Sequence, residues 1–409
     1  MILFTDEIPY NNEITYVAEL LNAKVYFVGG TVRDLLLKKP VHDIDIVVFN
    51  IPYTVFATNL KKHLKAHSIS FKDNVRIIKN LTIIDISKPR GKTLLEDLKL
   101  RDFTINSMAI TLNGQLINFS EDLQNKCINI QYNNAFVDDP LRILRAYRFA
   151  SELGFFINEI TLNKIFQHRK LISNVAIERI YEELYKTFTG KYFKNIYISF
   201  IESQLFNIIF NIHNENISTE FTKICINKFF DIAKGGIDPD NNFIYIIIFF
   251  SIYSYIHKKN DETIILNNIK KIIIVKKHFI FISKILNLLK TLLHTNINTN
   301  RLNHIIFENL SLISNVLLIL KILGKSEFNS FKDCKKIYYK LQYIYNMYDT
   351  SKLNEISGKD LKNLGIPEGV LFGKLLKRAQ YYLVIGKANT KEDSLQKINK
   401  LWRKIYEIC

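Results

Sequence analysis

The chain has 409 residues, 48% of them hydrophobic and 12% aromatic, which is enough for real cores; it excludes a disordered protein and predicts two or more compact units. Lys and Arg total 56 against 39 Asp and Glu, and the net +17 attracts a polyanion, either nucleic acid or an anionic membrane surface. A Lys, Asn and Ile bias from an AT-rich genome would give part of the same excess, so charge alone decides little.

The opening MILFTDEIPYNNEITY is acidic and lacks a basic stretch followed by an apolar run, so neither a secretory signal nor an Arg-rich transit peptide is expected. Up to about residue 130, short β-branched runs (KVYFV, DIDIVVF, LTIIDIS, SMAITLNGQLINF) alternate with polar turns, the pattern of a mixed sheet with a few helices. From DDPLRILRAYRFASEL onward the pattern is helical. Ile264 to His294 and Arg301 to Gly324 carry Leu, Ile and Phe at helical spacing, separated by Asn-rich turns such as HTNINTN. The most apolar run, Phe243 to Ile256, is shorter than the roughly 20 residues of a bilayer span and carries several hydroxyls, so it predicts a buried helix. Cys127, Cys225, Cys334 and Cys409 show neither CxxC spacing nor a disulfide framework and read as reduced thiols of a cytosolic protein. The fold class expected is α+β: a mixed-sheet head followed by an all-helical body.

The head carries the chemistry. After the strand ending at Val28, Gly29 and Gly30 can take backbone angles closed to other residues and let amide N–H groups approach a phosphate, with Arg33 close behind. Asp43 and Asp45, one residue apart on the next strand, point to the same face. Two bare carboxylates there repel unless a divalent cation lies between them, and hard oxygen ligands select Mg²⁺. Asp85, in TIIDIS, is a third candidate on a neighbouring strand; three carboxylates could hold two metals, one activating an attacking hydroxyl and one holding a triphosphate. Taken singly, the glycines are an ordinary tight turn and the aspartates a solvated strand face.

Together, at this spacing, they resemble the first motif of the nucleotidyltransferases that add CCA to tRNA and of the bacterial poly(A) polymerases, in the class II branch of that superfamily. RDFTINSMAI, Arg101 to Ile110, is similar to the family's ribose and phosphate motif; the resemblance implies that Arg101 contacts the triphosphate, that Asp102 accepts from the ribose 2′-OH and that Asn106 belongs to the nucleotide site. Leu100 stands where the family has a first arginine, leaving one phosphate or RNA contact absent or supplied by Lys99. DDPLRILRAYRFASELGF, Asp138 to Phe155, resembles the base-selecting motif. Read alone, Asp139 before Pro140 is a helix N-cap with proline at the first helical position, and Arg142 a solvated helix residue. Read as a pair three residues apart, the carboxylate accepts from cytosine N4 or adenine N6 and the guanidinium donates to the remaining acceptors, which admits C or A and rejects U and G. Arg145 and Arg148 continue a basic ridge toward the phosphates. ERIYEELYK, Glu178 to Lys186, resembles the neck helix that buttresses the base-reading helix; by itself it is a charged amphipathic helix. INFSEDLQNK departs from the family, with Asn118 and Ser120 where an aspartate and a glycine pair are usual, so the shape of that turn is open.

The resemblance covers about the first half of the chain. It implies a nucleotidyltransferase-type catalytic head over 1–137, a helical neck with the base-selecting helix over 138–205, a helical body over 206–345 and a helical tRNA-binding tail over 346–409. It also implies a cytoplasmic enzyme in which an RNA 3′-hydroxyl attacks a nucleoside triphosphate, CTP and in some members ATP, with Mg²⁺ or Mn²⁺ held by Asp43 and Asp45. ISGKDLKNLGIPEGVLFGKLLKRAQ resembles the tail that grips the tRNA elbow; without the family it is a helix ended near Gly365, a turn at Pro367 and Gly369, and a basic helix. Lysines 258, 259, 270, 271, 276 and 277 could line a phosphate-tracking surface or merely aid solubility. No HD phosphohydrolase motif is recognisable, and no membrane partner is expected. In members that add all three nucleotides a long flexible segment precedes the Arg101 motif, whereas here only GKTLLEDLKL separates Arg90 from Arg101. That resembles the CC-adding enzymes, whose partner in the same cell adds the terminal A. A full CCA-adding enzyme, a poly(A) polymerase and a catalytically silent RNA-binding protein are the alternatives; the intact Asp43, Asp45 and Arg101 argue against the last.

Overall fold

A computed structural model describes residues 5–211, 216–232, 238–257, 262–294, 299–325 and 331–406. The alternating segments of the head pair into one sheet of seven strands: β1 (Lys24–Val28), β2 (Asp43–Phe49), β3 (His67–Ser70), β4 (Asn74–Lys79), β5 (Thr82–Ser87), β6 (Ala109–Thr111) and β7 (Leu116–Ile117), in the order β3-β4-β5-β2-β1-β6-β7. β2 and β5 run parallel, and the other pairs are antiparallel. The parallel pair follows from the crossover through the helix Tyr53–Leu64, which buries Phe56, Ala57, Leu60 and Leu64 and packs on β2, β4 and β5. Ile44, Ile46 and Val48 of β2 are buried and alternate with Asp43 and Asp45, as the two-residue period requires. Beyond Asp45 the carboxylate face is covered too: Val28, Val47, Leu98 and Ala109 form a small core, with Leu94 against it. The short helix Leu94–Lys99 therefore closes the sheet beside the carboxylates.

The chain divides into two compact units, one of 1–223 with 233–279 and one of 224–232 with 280–409. In the first, the helix Arg142–Leu153 packs against Ile177–Thr189 and Phe193–Glu202, and Ile177–Thr189 against Pro239–His257. Pro239–His257 contains the apolar run, and its described side chains from Phe243 to Phe250 are all buried, so it is a core helix apolar all round. In the second, Leu310–Leu323 packs on Lys332–Asn346, and Val370–Val384 on Lys391–Tyr406 around Leu361, Leu375, Ala379 and Ile398. The Ser357 capping box, the helix Gly358–Asn363, left-handed Gly365 and the helix Val370–Val384 match the expected order.

Two long helical segments are broken. The first gives Glu262–Ile272 and Lys276–His294, separated at the β-branched run Ile273, Ile274, Val275, whose stiff side chains weaken a helix. The second gives Thr299–Glu308 and Leu310–Leu323, bent by 115° at Asn309, whose side-chain amide donates to the Ile305 carbonyl at 2.9 Å. Among the described residues no single helix is long and apolar enough to cross a membrane, although this bent pair reaches the required hydropathy in combination. Cys127, Cys225 and Cys334 are buried free thiols, with the Cys225 and Cys334 thiols pushed up by burial. Cys409, Lys258 and Lys259 lie outside the described residues.

Candidate active site

Gly29 has φ 63°, and Gly30 opens the helix Gly30–Leu36. A Cβ at Gly29 would come within 2.9 Å of Arg101 Nη1 and 3.2 Å of Asp45 Oδ2, so a side chain there would fill the space between the arginine and the carboxylate. The Gly30 N–H donates to Asp45 Oδ2 at 3.1 Å. Thr31 fixes this turn on β2: its hydroxyl accepts from the Asp45 N–H at 2.7 Å and donates to the Asp43 carbonyl at 3.3 Å.

Asp43 is exposed and Asp45 half-buried, and the parallel register sets Asp85 directly beside Asp45. Burial pushes the Asp45 carboxyl above the ordinary range; Arg101 pulls it down, Asp85 adds to the rise, and the Gly30 N–H and Arg33 oppose it. Asp85 is otherwise engaged. Arg76 holds both its oxygens, Nε to Oδ1 at 2.9 Å and Nη2 to Oδ2 at 2.8 Å. Accordingly, no three His, Cys, Asp or Glu side chains converge as a ready metal cage among the described residues. The set that fits a cation is the pair Asp43 and Asp45, hard oxygen donors on one face of β2, Asp45 with burial and Asp85 opposing its charge, in the open manner of Mg²⁺ sites completed by substrate phosphates.

The opposite wall is a chain of arginines and their acceptors. Asp102 is buried and accepts at Oδ2 from Arg145 Nε (2.9 Å) and Nη2 (2.6 Å), and at Oδ1 from Asn106 Nδ2 (3.0 Å) and the Phe103 N–H (2.9 Å). Burial works against its charge, but Arg145 and the donors from Asn106, Arg145 and Phe103 hold the carboxyl well below the carboxylate range. Asn106 accepts in turn from Arg33 Nη1 at 2.8 Å. Arg148 stands behind this wall, its Nε 3.2 Å from Glu183 on the helix Ile177–Thr189 and its guanidinium 4.3 Å from the Phe149 ring centre. Arg101 is held from below: its Nε and Nη2 donate to Asp97 Oδ2 at 3.0 and 2.9 Å, while Asp97 Oδ1 accepts the Arg90 N–H at 2.8 Å. Asp97 is fully buried.

The helix begins at Arg142 with Leu141 at its N-cap position, two residues beyond the expected cap; Asp139 Oδ1 accepts from the Leu141 N–H at 3.2 Å and so caps the turn that leads into it, and its Oδ2 is 3.4 Å from Arg179. Arg142 donates to the Tyr132 hydroxyl at 2.8 Å and to the Leu100 carbonyl at 3.1 Å, so the residue in place of the first arginine contributes its backbone. Asn118 takes the left-handed φ of 56° and donates to the Ser107 carbonyl at 2.6 Å; asparagine tolerates that region, which settles the turn without glycine.

A cavity of about 230 Å³ collects Gly29, Gly30, Arg33 and Asp45 on one side and Arg101, Asp102, Asn106, Asp139, Arg142 and Arg145 on the other. Asp43, Asp85 and Arg148 are not on its wall. Arg90 and Ser87, which sequence reasoning missed, are. It also missed Asp97 and Arg76, although the four-residue spacing of Asp97 and Arg101 on a short helix was a readable signal for that pair. Five arginines face three aspartates in this cavity, a charge balance suited to an anion.

The family model described as the poly A polymerase head domain matches residues 25–93, the span holding Gly29, Gly30, Arg33, Asp43, Asp45 and Asp85. Over that span the chain is similar to the head of the poly A polymerases. A second model, the "probable RNA and SrmB-binding site of polymerase A", matches residues 154–217. A CCA-adding enzyme of Oceanobacillus iheyensis is 38% identical over 198 residues, 44% of this chain and 50% of that one. One of Streptococcus uberis is 32% identical over 209 residues, 47% and 52% of the two chains. The chain thus spans about half the length of the curated relatives it matches. Over nearly its whole length it shares the fold of solved nucleotidyltransferases: the Thermotoga maritima CCA-adding enzyme complexed with tRNA is 23% identical with a TM-score of 0.65, covering 97% of this chain and 95% of that one. A CCA-adding enzyme in complex with CTP gives 23% and 0.68, with 97% and 94% covered.

Proposed function

We propose that this chain is a metal-dependent tRNA nucleotidyltransferase of the cytoplasm that adds CMP residues to the tRNA 3′ end and stops at CC. The observation that carries the nucleotidyltransferase reading is Asp45, its charge opposed by burial and by Asp85, in the wall of an arginine-lined cavity, with Asp43 two residues away on the same face of the strand. The acceptor 3′-hydroxyl attacks the α-phosphorus, a new O–P bond forms, the bond to the β-phosphate breaks and pyrophosphate leaves. Mg²⁺ or Mn²⁺ on Asp43 and Asp45, when bound, supplies charge neutralisation of the triphosphate and a more acidic attacking hydroxyl. Gly29 and Gly30 let the phosphates approach the backbone, and Arg33 and Arg101 carry the charge that meets them. Asp102, fixed by Arg145 and Asn106, presents an acceptor to the ribose. Asp139 and Arg142 read the base, Arg145 continues the basic wall, and Arg148 holds the base-reading helix through Glu183. In this reading 1–137 is the catalytic head, 138–205 the neck, 206–345 the body and 346–409 the tail that takes the tRNA elbow while the acceptor stem reaches the head. Lys270, Lys271, Lys276 and Lys277 contribute to the phosphate-tracking surface.

Stopping at CC rests on the connection between Arg90 and Arg101. It is folded shut: the Thr93 hydroxyl caps the helix Leu94–Lys99, Glu96 accepts the Lys92 N–H at 2.7 Å, and Asp97 binds both Arg90 and Arg101. A Cβ on Gly91 would meet Glu96 Cβ at 2.3 Å, so no slack remains there for a segment that reshapes the site for a purine. A separate enzyme would then add the terminal A. The second reading, full CCA addition, is favoured by the names of the relatives. Sequencing the products formed on tRNA lacking CCA, with CTP, ATP or both, tests the two. The CC reading expects two C residues and very poor ATP use on CC-ended tRNA; ATP incorporation at a rate like the CTP steps defeats it, and long A tails would make the chain a poly(A) polymerase.

A further inference from the structure

Three adjacent strands carry a row of charges across the sheet. Register places Asp45 beside Asp85, and Asp85 beside Arg76 of β4. On the Asp45 side the row ends at the arginine cavity. On the Arg76 side a second cavity of about 580 Å³ opens, lined by Asp73, Asn74, Ser87, Lys88, Pro89 and Arg90. Ser87 and Arg90 wall both cavities, so the two adjoin.

Resting on the nucleotidyltransferase reading, one cavity is taken by the triphosphate, and the second substrate has to reach the same carboxylates from another side. We propose that the Arg76 side, the second cavity together with the β3–β4 turn, binds the 3′-terminal nucleotides of the acceptor RNA. Lys88 is exposed and Arg90 stands at the junction, giving two cations against the single carboxylate of Asp73. Asp73 also has a fixed structural task, since its carbonyl accepts the Lys88 N–H at 2.8 Å and ties the turn to the end of β5. Arg76 is 38% exposed and uses two of its five N–H groups on Asp85, which leaves donors for a phosphate. Phe71, at the turn, is 50% exposed, with the Arg76 guanidinium 5.9 Å from its ring centre. A half-exposed aromatic beside cations is the arrangement on which single-stranded nucleic acid stacks, each base contributing about 1–3 kcal/mol. The acceptor end would lie with its last base near Phe71, its phosphates toward Arg76 and Lys88, and its 3′-hydroxyl at the Asp85 and Asp45 end of the row.

Two measurements on the full-length protein decide this. In steady-state assays with a tRNA minihelix lacking CCA, Phe71→Ala combined with Lys88→Gln should raise the KM for RNA by at least about tenfold while the KM for CTP stays within about twofold. An unchanged KM for RNA, or an equal rise for CTP, overturns the assignment. Independently of any variant, a photoreactive 4-thiouridine at the 3′-terminal position of the minihelix should crosslink to residues within 71–76 or 87–90 of the wild-type chain; crosslinking confined elsewhere overturns it as well. If the wild-type chain neither binds CTP nor extends any RNA, the failure belongs to the nucleotidyltransferase reading, whereas an active enzyme with its crosslinks elsewhere refutes only the acceptor site.

Discussion

Asp45 and Asp102 line the same cavity from opposite walls, and their surroundings differ in kind. Asp102 is buried among two guanidinium donors, an amide and a backbone N–H, and its carboxyl is held low. Asp45 has the Gly30 N–H on its carboxylate, a second carboxylate alongside, and burial pushing it up. The helix wall is a satisfied polar network, which fixes shape. The sheet wall retains an unmet demand for positive charge, and perturbation of that sign clusters where chemistry occurs. On the proposed function, the contrast assigns rigidity to the ribose and base end and reactivity to the phosphate end.

The largest expected effect breaks the sheet wall. On the proposed function, Asp45→Asn should lower nucleotide addition by about a thousandfold or more, since it removes one of the two carboxylates that would hold the metal, and Asp43→Ala should do the same, with tRNA affinity largely retained in both. Near-normal turnover in either variant defeats the metal-dependent mechanism. Asp45→Asn should at the same time raise the melting temperature at neutral pH. A carboxyl whose pKa is raised on folding favours the folded state only while protonated; that contribution is present below its unfolded pKa of about 3.9 and is lost as pH rises through the folded value. Calorimetry without metal should show the gain, and added Mg²⁺ should narrow it by stabilising only the wild type.

Breaking the helix wall should act on stability. Asp102→Ala leaves Arg145 without its principal acceptor in a buried network and is expected to cost about 3 kcal/mol in urea unfolding. The pH dependence has the opposite sign to that of Asp45: a depressed carboxyl stabilises above its unfolded pKa, and the contribution is lost as pH falls through the folded value. Wild type should therefore lose stability in acid more steeply than Asp102→Ala below about pH 4; parallel curves would show that the network is not what stabilises this wall.

Where each wall was legible follows from the range of the interactions. Asp43 and Asp45 were readable because a strand has period two, and Gly29 and Gly30 because the turn after β1 is local. The buried helix Pro239–His257 was readable from its apolar run. Arg76 was not, since its hold on Asp85 depends on the β4 and β5 register, which neither segment specifies alone. Asp97 lay in a segment noticed only for its shortness, yet that shortness is what lets one buried carboxylate bind both of its ends. The break at Asn309 arises from a side chain bonding back to its own helix, a competition that apolar spacing does not register.

The smallest effect is the most discriminating, because Asp139 belongs to both descriptions. Its Oδ1 accepts the Leu141 N–H at the entry to the Arg142 helix, and the same side chain faces the cavity. As a cap, its loss costs about 1 kcal/mol; as a base reader, its loss costs about 1–3 kcal/mol of discrimination. Asp139→Ala removes both functions and cannot separate them. Asp139→Asn can, since the amide oxygen still accepts from Leu141 while the amide nitrogen now offers donors to the uracil O4. The ion pair with Arg179, at 3.4 Å and half-exposed, changes the balance little. The expected result is a melting temperature close to wild type with UTP incorporation relative to CTP raised by about fivefold or more, measured by sequencing products from mixed nucleotides. Unaltered selectivity in Asp139→Asn, with a lowered melting temperature in Asp139→Ala, would reduce Asp139 to a helix cap and leave base reading to Arg142 alone.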